Sequence, residues 1–280
     1  MDTSNVVIAD NAKIMKKNND ASGNVYGGGN IGYIHKQANI YILGGTIEGS
    51  VYGGAYNNAL DIPEVNITMT GGLVEGGVYG GSNSNGTISG NVTMHIDGGQ
   101  VGNSSVNANV HGGGLGQPTV VTGNVSVTLG ASTSATDSAT VNGNVYGGPA
   151  LGDVNTNGNN TTTVTMNKAL INGNLFGGAY GNGADVNGHI TVNVLGGRVN
   201  GSVFGGGDAA AYGTAGWNFP VVNMSGGQAT NVFGGGKGNT ATVTGNTQVT
   251  LSGNAHVTGN VYGGGDAAQV SGSTNVKVQD

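Results

Sequence analysis

Glu48 and Glu75 come closest, by type and spacing, to a catalytic pair. Each stands four residues before the aromatic residue of a recurring motif. In a stacked repeat they therefore fall on neighbouring rungs about 5 Å apart. Two carboxylates at that separation suit a retaining glycosidase, one as nucleophile and one as acid. The same column also carries Ser22, Asn107, Asn142, Asn172, Asn200 and Thr258. Two solvated glutamates in a polar column are thus the plainer reading, and no catalytic residue is expected.

Calcium is the next chemistry to weigh. Asp208 and Asp266 each follow Gly-Gly-Gly and precede Ala-Ala. The nonapeptide calcium motif needs GGxGxDxUx in tandem. GGGDAA does not match it, and Lys237 holds the equivalent place between the two aspartates, so both read as turn-capping residues. His35, His95, His111, His189 and His256 occupy unrelated repeat positions, and there is no cysteine. A thiol nucleophile, a disulfide framework and a Cys-ligated metal are excluded, and no metal or cofactor is expected.

What must position these residues is a repeat. Val-aromatic-Gly-Gly occurs nine times, with one Leu and one His substitution. The aromatic column is Tyr26, Tyr52, Tyr79, His111, Tyr146, Phe176, Phe204, Phe233 and Tyr262, at spacings of 26, 27, 32, 35, 30, 28, 29 and 29 residues. A small polar column precedes it by two: Asn24, Ser50, Gly77, Asn109, Asn144, Asn174, Ser202, Asn231 and Asn260. Upstream lie segments such as NITMTGG, VTMHIDGG and ITVNVLGG, apolar at every second position. That period of two marks a half-buried strand. A third short strand passes through Ile47, Val74, Val141, Ile171, Val199 and Val257.

Three short strands per ~29 residues, with no helical stretch, specify an all-β, single-stranded parallel β-solenoid of nine to ten coils, about 45 Å long. Its hand is taken as right, as for parallel crossovers generally. Residues 1–280 form one domain, read either as a piece of a longer array or as a unit whose uncapped ends stack head-to-tail into a filament. This repeat accounts for a composition of 59 glycines in 280 residues and 8% charged residues. Gly and Asn serve the turns, stacked Asn side chains form ladders, and the surface is polar without being charged. Loop length varies at 83–90, 103–107, 132–140, 153–161 and 208–218, which makes these loops candidate contact sites.

The aromatic column admits two geometries. Strict alternation after an inward Val places nine rings outside, where they could stack against sugars. A bend instead turns them into a core corner, stabilised by about 0.5–1.5 kcal/mol per ring pair, and this structural role is favoured. An ice-binding face would use the outward positions Tyr41, Thr68, Thr93, Ser126, Thr165, Thr191, Asn223 and Thr250, with Leu43, Thr70, His95, Thr128, Asn167, Asn193, Ser225 and Ser252 two residues on. This face is Thr-rich but interrupted, and β-propensity explains it.

A net charge of −6 and eight basic residues argue against nucleic acid and anionic membranes as partners. Lys13, Lys16 and Lys17 read as a solvated first coil. No run of ~20 apolar residues and no signal-peptide pattern is present.

The tandem pattern TATVTGNTQVTLSGNAHVTGNVYGGGDAAQVSGSTNVKV at residues 240–278 resembles the long Gly/Asn/Thr-rich β-helix repeat proteins of bacterial cell surfaces, which are adhesin-like. The resemblance covers nearly the whole chain. It implies an extracellular stalk or adhesive rod whose partners are host or microbial surface glycans or proteins, or the chain itself. Its variable loops would be the contact points, and it transfers no catalytic residues. The competing functions are a filament subunit, a polysaccharide-binding or polysaccharide-cleaving β-helix, and an ice-binding solenoid.

Overall fold

A computed structural model describes residues 2–18, 21–30, 34–57, 61–133, 138–157, 159–213 and 219–280. The loops at 132–140, 153–161 and 208–218 therefore lie partly outside the described residues. The chain is a parallel β-solenoid. Sheet 1 has ten strands of four to six residues, from Thr3–Ile8 to Thr274–Val278. Sheet 2 has nine, from Lys13–Ile14 to His256–Val257, and sheet 3 nine, from Val25–Tyr26 to Val261–Tyr262. Every strand pairing is parallel between successive coils, as in Val65–Met69 against Val92–Ile96.

A fourth sheet was not legible in the repeat. Asp61–Ile62, Gly86–Ile88, Thr119–Val121, Asp153–Val154 and Asp185–Val186, all in the segments after Gly-Gly, pair into a five-stranded sheet. These coils thus carry four strands rather than three. Each strand places one aliphatic residue (Ile62, Ile88, Val121, Val154 or Val186) into the main core. A single apolar residue per loop has no period to detect.

The core is a stack of aliphatic columns. Val6, Ile40, Ile67, Met94, Val127, Val164, Val192, Val222, Val249 and Val276 occupy one line of register. Outside it, the pairing corrects the face considered for ice. Thr93, Ser126 and Thr191 share a column with Asn39, Asn66 and Thr163, whereas Thr68 pairs with His95, Thr128 and Thr165. Neither outward column is a regular Thr array: the first also carries Val221 and Gln248, and the second Tyr41 and His95. A two-residue offset between strands shifts the register without moving any side chain to the other face.

The invariant glycine pairs have a steric origin. A Cβ on Gly178 would lie 2.6 Å from the Gly207 nitrogen, and one on Gly206 would lie 2.7 Å from the Gly236 nitrogen. Close approach of successive coils, rather than left-handed backbone, demands glycine here. Left-handed backbone occurs further on, at Asn57, Ser84, Gly116, Leu151, Gly181, Ala209, Gly238 and Ala267. Each of these follows one residue of a bridge column running Tyr56, Asn83, Leu115, Ala150, Tyr180, Asp208, Lys237 and Asp266.

Candidate functional site

The small polar column works through the main chain. Asn24 Oδ1 accepts the Ser50 N–H at 2.7 Å, Asn109 that of Asn144 at 2.8 Å, Asn144 that of Asn174 at 2.7 Å, and Asn174 that of Ser202 at 2.8 Å. Each amide oxygen thus caps the next coil, in place of the amide–amide ladder expected there. Amide ladders occur elsewhere. Asn172 donates to Asn142 at 2.8 Å and Asn200 to Asn172 at 2.7 Å, and Asn39 donates to Asn5 at 2.9 Å.

The aromatic column, Tyr26, Tyr52, Tyr79, His111, Tyr146, Phe176, Phe204, Phe233 and Tyr262, is one continuous stack. Ring centroids are 4.5–5.1 Å apart and planes lie within 11° of parallel. Neither expected geometry describes it fully. The rings do alternate away from the aliphatic core, since Tyr146, Phe176, Phe204 and Phe233 form a separate buried cluster. They are then covered by the bridge column: Tyr180 packs on Tyr146 at 5.5 Å and on His111 at 6.3 Å, and the Tyr146 hydroxyl donates to Asp208 at 3.3 Å. Sequence alternation could not reveal a lid contributed by the next loop. Burial pushes the Tyr52, Tyr79 and Tyr146 pKa values up. His111 is buried with its Nδ1 unpartnered, and desolvation pushes its pKa down to about 3, against the smaller opposing effect of a hydrogen bond to the Pro149 backbone. It serves as a neutral ring in the stack.

Among the described residues, the cover is incomplete at the first coils. A groove of about 870 Å³ opens there, floored by Tyr26 and Tyr52 and walled by Asn24, Tyr56, Asn83 and Lys16. Tyr56 meets Tyr26 edge-on at 5.6 Å and 65°, and the residue is 46% exposed. The Tyr26 hydroxyl accepts N–H groups from Asn24 at 3.3 Å and Asn83 at 3.2 Å.

Glu48 and Glu75 do lie on adjacent rungs. Their backbone N–H groups donate to Ile14 and Ile47 respectively, at 2.9 and 2.8 Å. The Glu48 carboxylate accepts the Lys16 backbone N–H at 2.8 Å, so one of its oxygens is committed to capping the first coil. The groove is lined by their neighbours Gly49 and Gly76 rather than by the glutamates. In the fourth coil Gly102, not Asn107, holds their column: the Gly102 N–H donates to Val74, and Asn103 pairs with Val106 across the inserted turn. Asp208 and Asp266 flank Lys237 in the bridge column. A different acidic pair, Asp153 and Asp185, is directly paired in sheet 4 and leaves no mark in the repeat pattern. Burial first, and Asp185 second, raise the Asp153 pKa. Among the described residues, no group of three or more His, Asp or Glu is placed to hold a metal, and no helix is long and apolar enough to cross a membrane.

Fold and site together define a β-solenoid repeat protein with a buried aromatic stack that opens into a groove at its first coils. No known family, curated protein or solved structure matches the chain.

Proposed function

We propose that this chain is a non-catalytic structural and adhesive rod of the bacterial cell surface, which makes its contacts through the groove and the loops on that face. The observation that carries the reading is that repeat columns are spent on joining coil to coil. Sheets 1, 2 and 3 run unbroken along the axis, the aromatic stack runs beside them, and the polar column caps backbone N–H groups. A molecule so built transmits force and sets a distance. The Glu48 carboxylate, engaged by Lys16, fits this role better than a nucleophile's.

The test uses beads coated with the purified chain on epithelial monolayers and on bacterial biofilms, with a parallel assay for reducing ends released from polysaccharides. Retention above that of bare beads on one of these surfaces, without sugar release, is the expected result. Retention equal to bare beads refutes the adhesive role. Sugar release that disappears in Glu75→Gln replaces it with an enzyme.

A further inference from the structure

We infer that the groove over the first coils binds a neutral oligosaccharide, an inference that rests on the adhesive reading above and gives its contact a chemical class. Three independent features of the groove point the same way.

The first is a hydroxyl whose proton has no acceptor among the described residues. Tyr26 Oη accepts two amide N–H groups, from Asn24 and Asn83. A phenol has one O–H donor and two lone pairs, so the amides fill its acceptor positions and leave the proton for an acceptor in the groove. Receiving two donors also polarises that O–H and strengthens what it donates. A sugar hydroxyl oxygen is a matching acceptor.

The second is a fixed aromatic face. Tyr56 is 46% exposed yet held by its edge contact with Tyr26. Tyrosine offers a large amphipathic face at little conformational cost, and the C–H face of a pyranose is its natural complement.

The third is charge. Among the described residues, Lys16 is the one charged residue lining the groove, and no carboxylate lines it. An acidic sugar would find a single cation there, and a basic ligand no carboxylate among the described residues. The groove spans the coils from Tyr26 to Leu115, three rungs or about 14 Å, which accommodates a short run of sugar units.

The probes are cellohexaose, xylohexaose, mannohexaose and chitohexaose, with hexagalacturonate as the acidic comparator, each titrated calorimetrically into the full chain at millimolar concentration. At least one neutral hexasaccharide should bind, and more tightly than hexagalacturonate. Tyr56→Ala should weaken it at least tenfold. Tyr26→Phe, which keeps the stack and removes only the O–H, should weaken it severalfold. Tyr180→Ala removes an equally placed ring, 43% exposed, outside the groove lining, and should leave affinity within twofold. Absence of binding by all four neutral probes, tighter binding of hexagalacturonate, or full affinity in Tyr56→Ala overturns the inference. Bead retention that persists in any of those cases leaves the adhesive reading standing on its own.

Discussion

Replacing the second glycine of a repeat pair by alanine gives opposite results at two equivalent positions, Gly178 and Gly264. A Cβ on Gly178 would sit 2.6 Å from the Gly207 nitrogen and 2.8 Å from the Gly206 carbonyl carbon. Both are backbone atoms, and the Gly178 N–H donates to Gly206 at 3.1 Å. The neighbouring coil cannot retreat without losing that bond. Overpacking of this kind costs about 1–3 kcal/mol, and the strained inter-coil hydrogen bond adds about 1 kcal/mol. Alanine also restricts the unfolded chain, which returns about 0.4–1 kcal/mol. The net expectation for Gly178→Ala is a loss of about 2–3 kcal/mol, or roughly 4–12 °C in Tm for a chain of this size. A Cβ on Gly264 meets nothing within 4 Å, so only the unfolded-state effect acts. Gly264→Ala should be neutral or more stable by up to about 1 kcal/mol. Differential scanning calorimetry gives the Tm values, and amide exchange localises the effect, since solenoid coils couple mainly to their neighbours. Equal destabilisation by the two substitutions would refute coil-to-coil contact as the reason for the glycine pairs.

Further expectations follow from the columns. With a pKa near 3 in the fold and near 6.5 unfolded, His111 binds a proton more readily in the unfolded chain. Its neutral burial is therefore without penalty above about pH 6.5, and stability is lost as pH falls from there toward 3, by up to about 1.4 kcal/mol per unit. In His111→Phe that part of the pH slope should vanish from urea melts while the ring stack persists; an unchanged slope would assign it elsewhere. Asn174→Ala leaves the Ser202 N–H without its partner and should cost about 1–3 kcal/mol, read from the shift in urea midpoint. Ala209 and Ala267 sit at φ of 54°, where a left-handed residue costs about 1–2 kcal/mol. Ala209→Gly should recover up to about 1 kcal/mol after glycine's own entropy cost, and a lower Tm would contradict the strain.

The sequence alone determined the architecture, because a nine-fold motif combined with period-two strands has few packed solutions. Asn144, at a fixed place in the motif, had to meet its counterparts one rung away, whereas whether Tyr79 turned away from Val78 or into a core corner stayed open. The aliphatic columns and the adjacency of Glu48 and Glu75 were legible for the same reason: a local period sets which residues stack.

Tertiary structure decided what loops of unequal length do. Ile88 and Val154 enter the core from segments too short to show alternation. Tyr180 reaches over Tyr146, while the sparser cover at Tyr26 leaves a groove. The partners of Tyr26, namely Asn24, Asn83 and Tyr56, lie two to 57 residues away in three different coils. Repeat periodicity specifies contacts along a column, but whether a ring is sealed or open depends on the path of a loop that has no period.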